Sequence, residues 1–242
     1  MNVAGNRNPI QDNKAKIGFF SFTEITPGGD HRAYNEWHQL DHMPEQFPIP
    51  GVAHGQRWVC TPACAAARAV AAGELARTHY LTCYLMTEPL EETLTQFFDL
   101  ADYLHQVGRF YKHRRSHLSG PLEVIETHAA PRAQVSASAV AYRPNRGVFA
   151  VVEEDPADAP ALAAADLVAL DGVAGVWVFA TTPLVPTGRW TAGRRRITLC
   201  YLDGDPVAVS RAMPAALASA AVYAGPLEAV TPWQWDWFEE EG

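Results

Sequence analysis

Short blocks of β-branched and aromatic residues alternate along the chain with longer mixed blocks, and Gly or Pro marks most of the junctions. In the first half Ile17–Ile25 reads as a strand and His31–Phe47 as a helix. Gly51–Cys60 and Thr78–Thr87 follow as strands, Leu90–Arg114 as a long helix and Leu122–His128 as a last strand. The second half predicts a strand at Gly147–Glu153, a helix at Ala157–Leu170 and strands at Gly172–Thr181 and Arg195–Leu202. A helix at Val207–Ala221 and a strand at Leu227–Trp237 complete it. Each half is therefore β-α-β-β-α-β.

Two short matches support a duplication. Gly51-Val52-Ala53 returns as Gly172-Val173-Ala174, and Gly120-Pro121-Leu122-Glu123 returns as Gly225-Pro226-Leu227-Glu228, each opening a β-like stretch. The element order is the ferredoxin-like split βαβ, an antiparallel sheet with both helices on one face. One copy leaves its other sheet face bare, and two copies bury those faces against each other. The expected organisation is a loose N-terminus at 1–15, a first repeat at 16–130, a linker at 131–146 and a second, degenerate repeat at 147–242. The Ala-rich segment Pro62–Ala76 reads as a short helix or a lid.

Composition narrows the class. Of 242 residues 48% are hydrophobic and 19% charged, which supplies a core and excludes a mainly disordered chain. No apolar run approaches the ~18 residues of a membrane span, and the opening residues lack a signal-peptide core, so a cytoplasmic protein is expected. A net charge of −8 argues against a nucleic-acid partner. Cys60, Cys64, Cys83 and Cys200 are too few and too scattered for a disulfide framework and read as free thiols.

Candidate chemistry is one-sided, since all nine histidines lie between His31 and His128. The first half is therefore expected to carry the site and the second to supply a wall. The densest cluster runs from Tyr34 to Glu45. On a helix Tyr34, His38 and His42 share one stripe, while Trp37, Asp41 and Glu45 form the next. Pro44 and Pro48 limit the helix. An imidazole at the edge of a buried face can accept and donate a proton near neutrality, with Asp41 or Glu45 orienting it. Solvated or capping histidines are the plain alternative. His38-x-x-x-His42 also has chelating spacing, but Gln39 stands where a metalloprotease helix needs Glu, and a third ligand would have to come from His54, His79 or a carboxylate.

The run Tyr34…Trp37-His38…Asp41-His42-Met43-Pro44-Glu45, followed by Ile49-Pro50-Gly51-Val52, resembles the dimeric α+β barrel superfamily, and within it the EthD-like and REDY-like branch. The resemblance is specific over roughly Ile17–Trp58 and topological elsewhere. It implies that His42 matches the family's histidine and Trp37 its aromatic, whereas His38 stands where many relatives carry Tyr or another aromatic. It does not name a reaction, because the superfamily spans isomerases, cyclases, monooxygenases, dehydratases and haem enzymes.

Strand alternation puts His54, Gln56 and Trp58 on one face opposite Arg57. It puts His79, Leu81, Cys83 and Leu85 on one face opposite Tyr80, Thr82 and Tyr84. His54 and His79 could close a pocket or be sheet-edge polar residues. The basic stretch Arg109–His117 reads as a solvated helix end or as a clamp for a carboxylate or phenolate, with Arg109 the better candidate. Trp233, Trp235 and Trp237 alternate along the expected last strand as an aromatic seam. No phosphate-binding glycine loop, nucleophile elbow or Walker lysine occurs.

The sequence thus predicts an α+β chain of two fused ferredoxin-like repeats packed sheet to sheet as a pseudo-dimeric α+β barrel. The leading function is a cofactor-independent isomerase, cyclase or lyase acting by general acid/base chemistry on a small apolar, aromatic or polyketide-like substrate. His42 would be base or acid, His38 its partner and Asp41 the orienting carboxylate. Trp37, Tyr34, His54, His79 and Arg109 would shape the pocket. No cofactor, metal, nucleic-acid or membrane partner is expected, and a homodimer of the fused chain is allowed. The alternatives are a cofactor-free or haem-dependent monooxygenase and a non-catalytic protein that binds a hydrophobic metabolite.

Overall fold

The computed structural model describes residues 13–158, 160, 162–181 and 193–238. Nine strands form one sheet: β1 (Ile17–Ile25), β2 (Val52–Val59), β3 (Val70–Ala71), β4 (Tyr80–Met86), β5 (Arg114–Ala129), β6 (Gly147–Glu154), β7 (Val173–Ala180), β8 (Arg195–Leu202) and β9 (Ala221–Ala229). The order is β2-β4-β1-β5-β7-β8-β6-β9-β3, and every pairing is antiparallel. The second strand of each half lies outermost, then its third, first and fourth. β2 also pairs with β9 through Trp58 opposite Ala229 and Val59 opposite Glu228, so the sheet closes on itself. Closure removes the long open edges that a free sheet would expose. β5 makes the other join. Its N-terminal part pairs with β1 and its C-terminal part with β7.

Alternation along these strands separates two environments. Phe20, Phe22, Trp58, Leu81, Trp177, Phe179, Tyr201 and Tyr223 point inward and form the largest core cluster. The outer face of the first half packs Ile17, Met43, Tyr84, Met86, Leu94 and Phe97 against its helices. The second half does the same with Phe149, Val151, Leu167, Val176, Val178 and Leu217. Packing inside is tight: a Cβ added to Gly18 would lie 2.6 Å from the Phe179 ring.

Helix positions explain where the sequence pattern misleads. The long helix α4 is Leu90–Gln106 and stops eight residues before the expected Arg114. Gly108, with φ +73°, takes the left-handed conformation that ends helices, and its N–H bonds the His105 carbonyl. Arg114 to Gly120, read as helix end and loop, is the start of the long strand β5. In the second half only Ala164–Leu167 (α5) of the expected 157–170 helix is helical, and residues 159 and 161 lie outside the described set. The expected 207–221 helix is split into α6 (Pro206–Ser210) and α7 (Ala216–Ser219), with Pro214 between them lacking the N–H that would continue the first.

The expected strand at 227–237 is β9 shifted to earlier residues, and the chain turns after Ala229. Trp233 has φ +70° and is exposed while Trp235 is buried, so the tryptophans do not alternate along a strand. Segment 131–146 is more than a linker, because Val140 and Ala141 are buried in the main core and Trp177 Nε1 donates to the Ala137 carbonyl. Ala15, at the end of the expected loose N-terminus, belongs to the same core. Segment 62–76 holds a helix, α3 (Pro62–Ala66), and the strand β3, which pairs with Tyr223 and Ala224 of β9.

Candidate active site

The helical connection after β1 starts as α1 (His31–Glu36), capped by the Asp30 carboxylate, which accepts from Ala33 N–H at 2.7 Å. It ends as α2 (Met43–Gln46). Between them Trp37–His42 is a π-helical turn, in which Met43 N–H reaches back to the His38 carbonyl five residues earlier. Pro44 favours this widening, because its ring would otherwise press on the Leu40 carbonyl of a regular α-turn. Such turns often mark functional sites. Here the turn changes which side chains meet: residues five apart share a face, and Trp37 stacks on His42 with ring centres 4.6 Å apart and planes 20° apart.

Beneath this turn lies a cavity of about 470 Å³, between α4, the π-turn and the outer face of β1, β4 and β5. Phe19, Phe97, Phe98 and Phe110 wall it, with His38, His42, Tyr84, Asp102, His105, Arg114 and Ser116 as polar members. Its size suits a small organic molecule.

His38 is 3% exposed and held at both nitrogens, with Nδ1 3.1 Å from the Tyr34 hydroxyl and Nε2 3.3 Å from the Tyr84 hydroxyl. Burial lowers its pKa well below 6.5, helped by the charges of Arg57 and Arg114 and by His42. His42 is lowered to about 3, first by burial, then by Arg114, Arg57 and His105. Both imidazoles are therefore neutral near pH 7. They differ in one respect: Nδ1 of His42 is buried without a hydrogen-bond partner. A neutral imidazole with an unused nitrogen beside a cavity is a base waiting for a proton. Tyr84 complements it, since burial pushes its phenol upward and keeps the O–H a donor.

Arg114 enters from β5. Its guanidinium lies 4.4 Å from the Phe110 ring centre and 5.5 Å from that of Trp37. Its Nε is buried without a partner, and burial lowers its pKa from 12.5. Among the described residues no carboxylate lies at ion-pair distance from it.

Tyr34, Trp37, His38 and His42 are thus brought together. Asp41 is not with them. It accepts from Arg109 Nη2 at 2.6 Å on the outer surface, and Glu45 shares that guanidinium at 2.7 Å. The π-turn carries Asp41 to the outside, so an orienting role toward either histidine has no contact behind it. Arg109, expected as a substrate clamp, is occupied by these two carboxylates, while its carbonyl accepts from Trp37 Nε1. His54 packs against Tyr142, and His79 accepts the Ile25 N–H through Nδ1 beside His31 and Phe238. Neither lines the cavity.

Tyr84, Arg114, His105 and Ser116 were missed as site residues. Tyr84 was on a correctly grouped face, with Tyr80 and Thr82, but nothing in the sequence tells which face the helices cover. Arg114 was hidden by the overlong helix. Among the described residues no group of three or more His, Cys, Asp and Glu converges to hold a metal, and no helix is long and apolar enough to cross a membrane. All four cysteines are buried and free.

No protein-family model and no curated protein matches the chain. Solved structures do. An anthrone oxidase-like protein aligns over 91% of this chain and 93% of its own, with a TM-score of 0.51 and 11% identity. The two chains share a fold. A mutant chlorite dismutase from Candidatus Nitrospira defluvii aligns over 90% of this chain and 93% of its own, at a TM-score of 0.44 and 12% identity. At such identities the likeness is one of fold alone.

Proposed function

We propose that the chain is a cofactor-independent enzyme that moves a proton on a small, flat, apolar substrate, with the first half as the site-bearing ferredoxin-like repeat and the second as its degenerate partner. The EthD-like reading of the Trp37…Asp41-His42…Pro44 run belongs to the same proposal. One observation carries it: two buried neutral histidines line an aromatic cavity, and one of them keeps a nitrogen free.

His42 takes a proton from an acidic C–H or O–H on its unprotonated ring nitrogen. The bonding pair stays on the substrate and spreads over its ring system. Stacking on Trp37 fixes the imidazole plane. Tyr84, backed by His38 and Tyr34, stands ready to give a proton at another atom, which completes the isomerisation of the substrate; the proton held on His42 then passes back to the Tyr84 oxygen and restores both groups. If a group leaves from the neighbouring atom instead, the result is an elimination. Phe97, Phe98 and Phe110 exclude water and favour an aromatic substrate.

Anthrone is a fitting probe, because its methylene protons are acidic and the anion is aromatic. Under argon in D2O the wild type is expected to accelerate deuterium entry at that methylene, and His42→Gln to lose about 10²–10⁴ of the acceleration. Binding without acceleration would support a carrier protein instead. The neighbour described as anthrone oxidase-like favours one second reading, in which the same anion meets oxygen, and oxygen uptake in air separates the two. A Soret band in the purified protein would contradict both cofactor-free readings.

A further inference from the structure

We propose that the cavity selects a substrate bearing an anionic oxygen, a carboxylate or phenolate on an aromatic ring, and that Arg114 is the residue that seats it. The inference rests on the acid/base reading of the same cavity and names its substrate class.

Two arginines elsewhere in the chain, Arg196 and Arg109, show what this one lacks. Arg196 is closed by two bonds to Glu153, at 2.6 and 2.8 Å. Arg109 is closed by Asp41 and Glu45. Arg57, more deeply buried than Arg114, gives Nη2 to Asn35 and, among the described residues, also lacks a carboxylate, with Nε and Nη1 unpaired, but it is covered by the Tyr34 and Tyr80 rings, away from the cavity lining. Arg114 alone among these four lines the cavity with no carboxylate at ion-pair distance. A half-buried guanidinium stays charged, and leaving it without a counter-charge is costly unless something else supplies one. An incoming anionic oxygen is that counter-charge, and a guanidinium fork is the group that best binds a carboxylate.

The surroundings fit the rest of such a molecule. Ser116, next but one on the same strand, places its hydroxyl in the wall, 2.8 Å from that of Ser21. Phe110, under the guanidinium, continues into the Phe97 and Phe98 walls where a ring would lie. Seating an anion also changes the base. After burial, Arg114 is the largest cause of the low basicity of His42, so neutralising it makes His42 a better proton acceptor once the substrate is in place.

The test is calorimetric binding of 2-naphthoate and of its neutral isostere 2-naphthamide to the full chain. 2-Naphthol is a third ligand, because its absorption reports whether it binds as phenol or phenolate. Naphthoate is expected to bind at least about tenfold tighter than naphthamide, as one charge-assisted bond warrants. Arg114→Gln should bring the ratio close to one, and Arg114→Lys should keep part of it. A phenolate spectrum for bound naphthol extends the class to phenols, and a phenol spectrum with the naphthoate preference intact confines it to carboxylates. Equal affinity for naphthoate and naphthamide, binding of neither, or a preference that survives Arg114→Gln would overturn the proposal. The wild-type ratio needs no variant to fold. A naphthoate preference without anthrone exchange would fail the acid/base reading alone, and exchange without a preference would fail this one alone.

Discussion

The two halves of the barrel share one strand order and differ in what lies over the sheet. Above the second half, α5 has four residues and α6 and α7 have five and four. The cleft left there is about 160 Å³, lined by Val151, Leu162, Leu167, Val178 and Leu217, and its cation, Arg196, is closed on Glu153. Above the first half stand the 17-residue α4 and a continuous helical stretch from His31 to Gln46 with a π-turn in its middle. Between them the cavity stays open, and its cation, Arg114, has no carboxylate at ion-pair distance among the described residues, with Asp102 elsewhere in the same lining. The same sheet thus supports a collapsed, self-neutralised cleft and an open, charged one. Short helices let aliphatic side chains fill the face. Long ones stand off it and leave room for a ligand.

Breaking one partner in each half should have opposite effects on stability. Glu153 and Arg196 are 7% and 6% exposed. Glu153→Ala leaves Arg196 buried and unpaired, so a loss of about 3–5 kcal/mol in urea unfolding is expected. Arg114→Met removes a charge that already lacks a counter-charge, and a gain of about 1 kcal/mol is expected, or roughly 2–4 °C in Tm. If both substitutions destabilise equally, the contrast between the two arginines is mistaken.

Acid should sharpen the contrast further, because the histidines all lie in the first half. His42 is held at about 3 and His31 at about 4 in the folded chain, against 6.5 when unfolded. Between those values the unfolded chain binds protons that the folded chain refuses. Stability is therefore complete above about pH 6.5 and falls as pH drops toward 3, by about 1.4 kcal/mol for each unit by which a fully buried histidine is lowered. Urea titrations across that range should show the decline, and His42→Gln should flatten it.

Much of the barrel is legible in the sequence, and the reasons are local. β1 and β8 have the predicted ends, since strands buried on both faces write continuous apolar or β-branched runs. The helices of the second half were overread because Ala-rich stretches around Pro160 and Pro214 have helical composition without helical continuity. The grouping of Tyr34, His38 and His42 was readable from four-residue spacing. The Trp37–His42 stack was not, because it depends on a π-turn that no α-periodicity predicts. Asp41 was misplaced for the same reason. Arg114 was beyond reach once the helix was run through it, and its lack of a partner is a tertiary fact.

The most direct test is a titration of the imidazole ¹⁵N shifts of His38 and His42 in the free protein, followed by addition of 2-naphthoate. Both rings are expected to stay neutral well below the ordinary value of 6.5, with naphthoate moving the protonation of His42 upward. A His42 that titrates near 6.5 and ignores naphthoate would contradict a buried, open base facing Arg114.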